Sequence, residues 1–253
     1  MPYHPHDNGP PLFTFAAMAV FVAFFGAEFK QFDLARFQAF PWRVADGEIW
    51  RLVTCTFLHG SIMHIAFNAI LFLRFATVVD NWLGPWAALG LYVLFAIPSN
   101  AAQLLVSPAG VIGASGVVYG LFGFLWVMSR RRDDAAEAAG SPHMIQTMLG
   151  WLAICFVVNL FGGSIGNTAH LMGLAVGWLL GQTVVARKRH RIPLALATLL
   201  VWALPVVLIQ RPVWNRTLAH LPVVGGWYWN YNLPDDRRDA VEDARGTINP
   251  GML

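Results

Sequence analysis

From Pro142 to Ala186 the chain runs through 45 residues without one Lys, Arg, Asp or Glu. Between Leu52 and Ser129 it carries only two, Arg74 and Asp80. A soluble domain cannot solvate its surface with runs like these. Composition agrees: 57% of the residues are hydrophobic, where soluble domains average about 45–50%. Only 12% are charged, roughly half the soluble norm. The sequence therefore reads as an all-α polytopic membrane protein, and a soluble enzyme, a disordered regulator and a secreted disulfide scaffold are excluded.

A bilayer core of about 30 Å takes roughly 20 helical residues. On that ruler six spans stand out, at 11–29, 59–79, 86–106, 113–130, 146–162 and 167–186. A weaker seventh at 192–210 contains Pro193 and Pro205 and is expected to be kinked or tilted. The organisation is thus a short N-terminal tail (1–10), a six-helix core (11–186), a basic loop with an additional C-terminal transmembrane helix (187–210), and a tail (211–253). Inside the core, the long first loop (30–58) mixes charges with Phe and Trp and is expected to lie in the membrane interface. Trp214, Trp227, Tyr228, Trp229 and Tyr231 in the tail suit a headgroup belt. The N-terminal stretch has no Lys or Arg before the first apolar run, so that run is expected to be a retained helix rather than a signal peptide.

The basic residues are knotted beside spans, Arg130–Arg132 after the fourth and Arg187, Lys188, Arg189 and Arg191 after the sixth. That is how topology signals look, so the pI of about 9.1 implies no nucleic-acid partner. With the N-terminus in the cytoplasm both knots come out cytoplasmic, and the long first loop faces outside. Its Lys30, Arg36, Arg43 and Arg51 mildly oppose that orientation. Cys55 and Cys155 fit no metal spacing and are not expected to pair.

Each polar residue in the spans is a candidate for function, because an unpartnered polar group in hydrocarbon costs several kcal/mol. The second span opens on His59, His64 and Asn68, the last two sharing a helix face. The fourth opens Gly113-Ala114-Ser115-Gly116, with Tyr119 one turn below the serine. The sixth carries His170, followed by Gly173, Gly177 and Gly181. These three spans run in the same direction, so His64, Ser115 and His170 fall in one layer, roughly 5–8 Å below one boundary. Gly116, Gly120 and Gly123 face the stripe of Gly173, Gly177 and Gly181, and small residues at that spacing let backbones approach closely. A serine needs a base to take its proton, and His170 can serve. No Asp or Glu lies near His170 in sequence, so a dyad is expected, with Tyr119 the best placed neighbour to orient the ring. The Asn68 amide, an N–H of His64 and the Ser115 backbone N–H are candidate donors to an oxyanion. His59 is read as structural. Arg74 and Asp80 are expected to snorkel or pair locally. Gly162–Gly166 is a candidate lid beside His170.

This set resembles the rhomboid intramembrane serine proteases. Gly113-Ala114-Ser115-Gly116 is similar to that family's GxSG, and His59, His64 and Asn68 to its HxxxxHxxxN. His170, Gly173 and Gly177 are similar to its HxxGxxxG, and Trp50-Arg51 to the WR pair of its first loop. The resemblance covers about 48–186. It implies hydrolysis of peptide bonds in or next to transmembrane segments of membrane-protein substrates, with Ser115 as nucleophile and His170 as base. His64 and Asn68 would bind the oxyanion, and Tyr119, Gly113, Gly116, Gly173, Trp50 and Arg51 would support the site. Partners would be transmembrane substrates and the bilayer, in a bacterial inner membrane with the site towards the outer face. No HExxH, paired intramembrane carboxylates, phosphate loop or dinucleotide fingerprint is present, so no metal or cofactor is implied. The alternative is a catalytically silent relative that binds or chaperones transmembrane segments. A small-solute transporter would predict interrupted helices in two similar halves, which the sequence does not display.

Overall fold

The computed structural model describes residues 10–107 and 110–210. Seven longer helices occur among them: α1 (Leu12–Phe29), α2 (Ile62–Leu83), α3 (Pro85–Val106), α4 (Ser115–Met128), α5 (Pro142–Leu160), α6 (Asn167–Val185) and α7 (Lys188–Ile209). Six are long and apolar enough to cross a membrane. The chain is an integral, multi-pass, all-α membrane protein. The aromatic headgroup belt expected in the tail lies outside the described residues.

The helix that falls short is not the one the sequence marks as weak. α7 passes through Pro193 and Pro205 as one helix of 22 residues. α4, expected over 113–130, has only 14. At 1.5 Å per residue it is about 21 Å long, well under the thickness of the hydrocarbon core. It survives because it never meets lipid alone. Twelve of its 14 residues are buried, enclosed by α2, α3 and α6. The chain just before it, 110–114, is non-helical and mostly buried in the protein, where irregular backbone is tolerated at membrane depth.

Local signals place the other helices. Ser61 and Ser141 cap α2 and α5, accepting from the backbone N–H of His64 at 3.2 Å and of Met144 at 3.1 Å. Pro85 and Pro142 open α3 and α5, where a missing N–H costs nothing. Phe21, Phe72, Phe75, Phe95 and Phe122 fill the core between α1, α2, α3 and α4.

Arg74 and Asp80 do not pair with each other. Asp80 is buried and accepts from Thr14 N at 2.9 Å and Thr14 Oγ1 at 3.1 Å, supplying a carboxylate to the N-terminal turn of α1. Arg74 donates to the carbonyls of Ala138 and Glu137 at 2.8 and 2.7 Å.

The long first loop is folded rather than slack. It contains short helical turns at Ala35–Phe37, Pro41–Ala45, Arg51–Thr54 and Cys55–Phe57. Arg51, 7% exposed, is its hub: it pairs with Glu48 and donates to the carbonyls of Ala35 and Gln38 at 3.0 and 2.9 Å. The loop then grips the segment before α4 at two points, through Val111 N to Ala39 O and Gly113 N to Cys55 O, both 2.9 Å. α7 closes the opposite flank. Trp202 Nε1 donates to Leu94 O of α3 at 2.9 Å, and Ile209 is buried with Ala39, Val44 and Leu52 of the loop.

Candidate active site

Ser115 is the first residue of α4, so its depth follows from where that short helix begins. It lies on a cavity of about 1020 Å³, lined also by α2, α3, α5, α6 and the Gly163–Gly166 segment. His170 sits one turn into α6, 4% exposed, with its Nε2 2.8 Å from Ser115 Oγ. That is a full hydrogen bond between an alcohol and an imidazole contributed by two different helices.

Glycine makes the approach possible. A Cβ on Gly173 would lie 2.0 Å from the Gly116 carbonyl oxygen, and one on Gly177 would lie 1.9 Å from that of Gly120. No side chain fits at either position. The two stripes do not simply face each other, however. The space beside Gly116 and Gly120 is filled from α3, by Ser99 and Phe95, while Gly123 accommodates Leu174 of α6. The glycines of α4 thus admit two neighbouring helices.

The imidazole of His170 is held by stacking. The Tyr119 ring lies 4.8 Å from it, 28° from parallel, and Tyr119 Oη donates to Met148 O of α5 at 2.9 Å. His170 Nδ1 has no hydrogen-bond partner among the described residues. Among the described residues no carboxylate bonds to the ring.

His64 and Asn68 line the same cavity. The His64 ring lies over Gly113, where a Cβ would be 2.5 Å from His64 Nε2. Gly113 also holds φ +102°, a conformation that a side chain would strain, so two constraints select glycine here. Asn68 Nδ2 donates to the His64 carbonyl at 2.9 Å, which fixes the amide and leaves its second N–H for another acceptor. His59 is fully buried, its ring edge-on to His64 at 5.2 Å and its Nδ1 3.2 Å from Phe57 O. Burial pulls its pKa down to about 4, so His59 is neutral at ordinary pH. The structure does not bring Trp50 to the cavity. Trp50 is 55% exposed, and it is Arg51 whose side chain bonds to the loop carbonyls.

The sequence reading passes over several residues of this region. Gln103 Oε1 accepts from Thr168 N at 3.0 Å and Ala169 N at 3.2 Å, so α3 caps the turn that carries His170. Asn159 brackets the segment between α5 and α6 by exchanging two 2.8 Å bonds with the backbone of Ile165. Gln103 was detectable as a polar residue within an apolar span, by the criterion that picked out His64.

A family model described as the rhomboid domain matches residues 46–187, more than half of the chain. The chain belongs to the rhomboid family. Among its relatives, the rhomboid protease GlpG of Haemophilus influenzae is 34% identical over 137 residues, covering 54% of this chain and 70% of that protein. YdcA of Bacillus subtilis is 34% identical over 152 residues, 58% of this chain and 73% of its own. The rhomboid protease GlpG of Yersinia pestis is 35% identical over 133 residues, 53% of this chain and 47% of its own. This rhomboid is an intramembrane serine protease. The matched range begins within the first loop and ends just after α6, so α1 and α7 lie outside it.

Proposed function

We infer that this rhomboid cuts peptide bonds in or next to transmembrane segments with Ser115 as nucleophile and His170 as general base. The observation that carries the reading is the 2.8 Å contact between His170 Nε2 and Ser115 Oγ. His170 takes the hydroxyl proton as Oγ attacks the scissile carbonyl, then gives it to the leaving amine. Water repeats the cycle on the acyl-enzyme, and the serine is restored. The tetrahedral oxyanion is stabilised from α2, with the Asn68 amide, an imidazole N–H of His64 and the Ser115 backbone N–H as its donors, all on residues that line the cavity. Tyr119 keeps the general base in register by stacking. Gly113, Gly116 and Gly173 keep the space free, and Arg51 steadies the loop that holds the segment before Ser115.

The substrate helix reaches the cavity between α2 and α5, the flank where Phe67 and Trp151 stack at 4.6 Å. α7 covers the opposite side. A bound segment has to unwind to present a carbonyl, which favours Gly, Ala and other helix-weak residues at the cut. Both basic knots lie at the end of the bundle away from the cavity, where Arg131 donates to Val185 O at 3.2 Å. The positive-inside rule then puts the site towards the outer face, and the bacterial relatives support an inner-membrane location.

Fluorophosphonate labelling of the detergent-solubilised protein, together with cleavage of a reporter transmembrane segment, tests the reading. Ser115→Ala and His170→Ala are expected to abolish both signals while the folded protein persists. Asn68→Ala is expected to slow cleavage by up to about 10²–10³-fold, the cost of one oxyanion donor. Labelling that survives either of the first two substitutions would refute the assignment.

A further inference from the structure

α1 lies outside the matched range, yet it reaches the site through two side chains, Phe21 and Glu28. Glu28 stands in its last turn, where the helix dipole disfavours a carboxylate. A tertiary contact has to account for it. Both carboxylate oxygens lie within hydrogen-bond reach of the backbone N–H of His59, Oε1 at 3.2 Å and Oε2 at 3.1 Å. No ion pair to Glu28 forms among the described residues. Its acceptor capacity is directed at the turn that starts α2.

That turn is a short chain of constraints ending on His64. The His59 carbonyl accepts from Ser61 N at 2.7 Å, and Ser61 Oγ caps the backbone N–H of His64. The His59 ring is wedged between Phe21 of α1, at 5.1 Å, and the edge of the His64 ring, at 5.2 Å. α1 therefore holds His59 twice, by Phe21 through the ring and by Glu28 through the backbone, and His59 in turn holds His64 over Gly113.

We propose that Glu28 is a positioning residue of the protease: its hydrogen bond to His59 N fixes the turn that aims the His64 imidazole at the oxyanion. The proposal rests on His64 being an oxyanion donor, so its effect belongs to the transition state and must pass through His64. Glu28→Ala is expected to lower kcat about tenfold, the scale of one hydrogen bond to a charged group, with KM within about twofold of wild type. Glu28→Gln keeps an acceptor oxygen for the same N–H and is expected to recover to within about threefold. In a double-substitution cycle, Glu28→Ala is expected to add nothing in the His64→Ala background.

The cycle is read on the full chain in detergent with a reporter transmembrane segment. A wild-type kcat in His64→Ala removes the oxyanion reading, and Glu28 with it. A reduced kcat in His64→Ala, with the two losses multiplying in the double variant, removes Glu28 alone. So does a Glu28→Ala effect confined to KM, or a Glu28→Gln variant as slow as Glu28→Ala. Should Glu28→Ala fail to fold, Glu28→Asp, which withdraws the carboxylate by one methylene, takes its place under the same criteria.

Discussion

α4 and α5 are both apolar helices bordering the same cavity, and they are built on opposite terms. α4 has 14 residues, 12 of them buried, with its backbone pressed against α6 until no Cβ fits between them. α5 has 19, of which only Met148, Leu152 and Cys155 are buried, while Trp151, Ile154, Phe156, Val157 and Leu160 are exposed. Ser115 stands on the first kind of helix, and His170 on the partner pressed against it. The side proposed for substrate entry is formed by the second kind. Catalytic geometry demands placement to within a fraction of an ångström, whereas lateral entry demands an element that can yield. The molecule separates these demands by helix rather than by domain.

Substitutions can break that separation from either side. The largest effect is expected on the tight side. Gly177→Val would drive a side chain into the Gly120 carbonyl, where even a Cβ falls at 1.9 Å. Because the obstruction is backbone, the cost should exceed the roughly 1–3 kcal/mol of ordinary overpacking. Loss of the folded protein, or of all fluorophosphonate labelling, is the expected result in a thermal-shift and labelling assay. A variant of wild-type stability would show that the helices are not held at this distance.

A smaller effect is expected from the segment between α5 and α6. Proline at Gly163 or Ser164 should slow cleavage of a transmembrane reporter if the segment moves during turnover. Labelling of Ser115 by a small fluorophosphonate should change less, and equal losses in both assays would indicate damage to the site rather than to access. The smallest effect is expected at the Phe67–Trp151 stack, an interaction worth about 0.5–1.5 kcal/mol. Trp151→Ala should raise cleavage of a transmembrane segment by about two- to tenfold, and leave labelling by a small fluorophosphonate unchanged. A rise in both would mean that the stack controls the chemistry and not the passage.

Much of this arrangement is visible in the chain itself, for definite reasons. Charge-free runs leave helices few places to end, so the start of α6 and the whole of α3 fall within a residue of expectation. The cavity-lining cluster of Ser115, His170, His64 and Asn68 is legible because these are polar residues in apolar spans, where little else is tolerated. The shortness of α4 is hidden. Val111-Ile112-Gly113-Ala114 is apolar enough to pass for helix, and its non-helical course is set by hydrogen bonds to Ala39 and Cys55 far off in the sequence. Glu28 is hidden for a similar reason, since it acts on a turn 31 residues away. Of the recognisable Trp50-Arg51 pair, Trp50 is half-exposed, and Arg51 bonds to the loop carbonyls of Ala35 and Gln38.

One consequence of the truncated α4 reaches beyond geometry. A helix about 9 Å shorter than the hydrocarbon is thick puts Ser115 at its very start, on the cavity of about 1020 Å³ that α2, α3, α5 and α6 also line. Hydrolysis consumes one water for each bond cut. On the proposed reading two reactants have to meet in that cavity, the polypeptide coming from the lipid and the water from solvent. A scissile segment that fills the cavity too tightly would acylate Ser115 and leave the acyl-enzyme waiting for its second reactant.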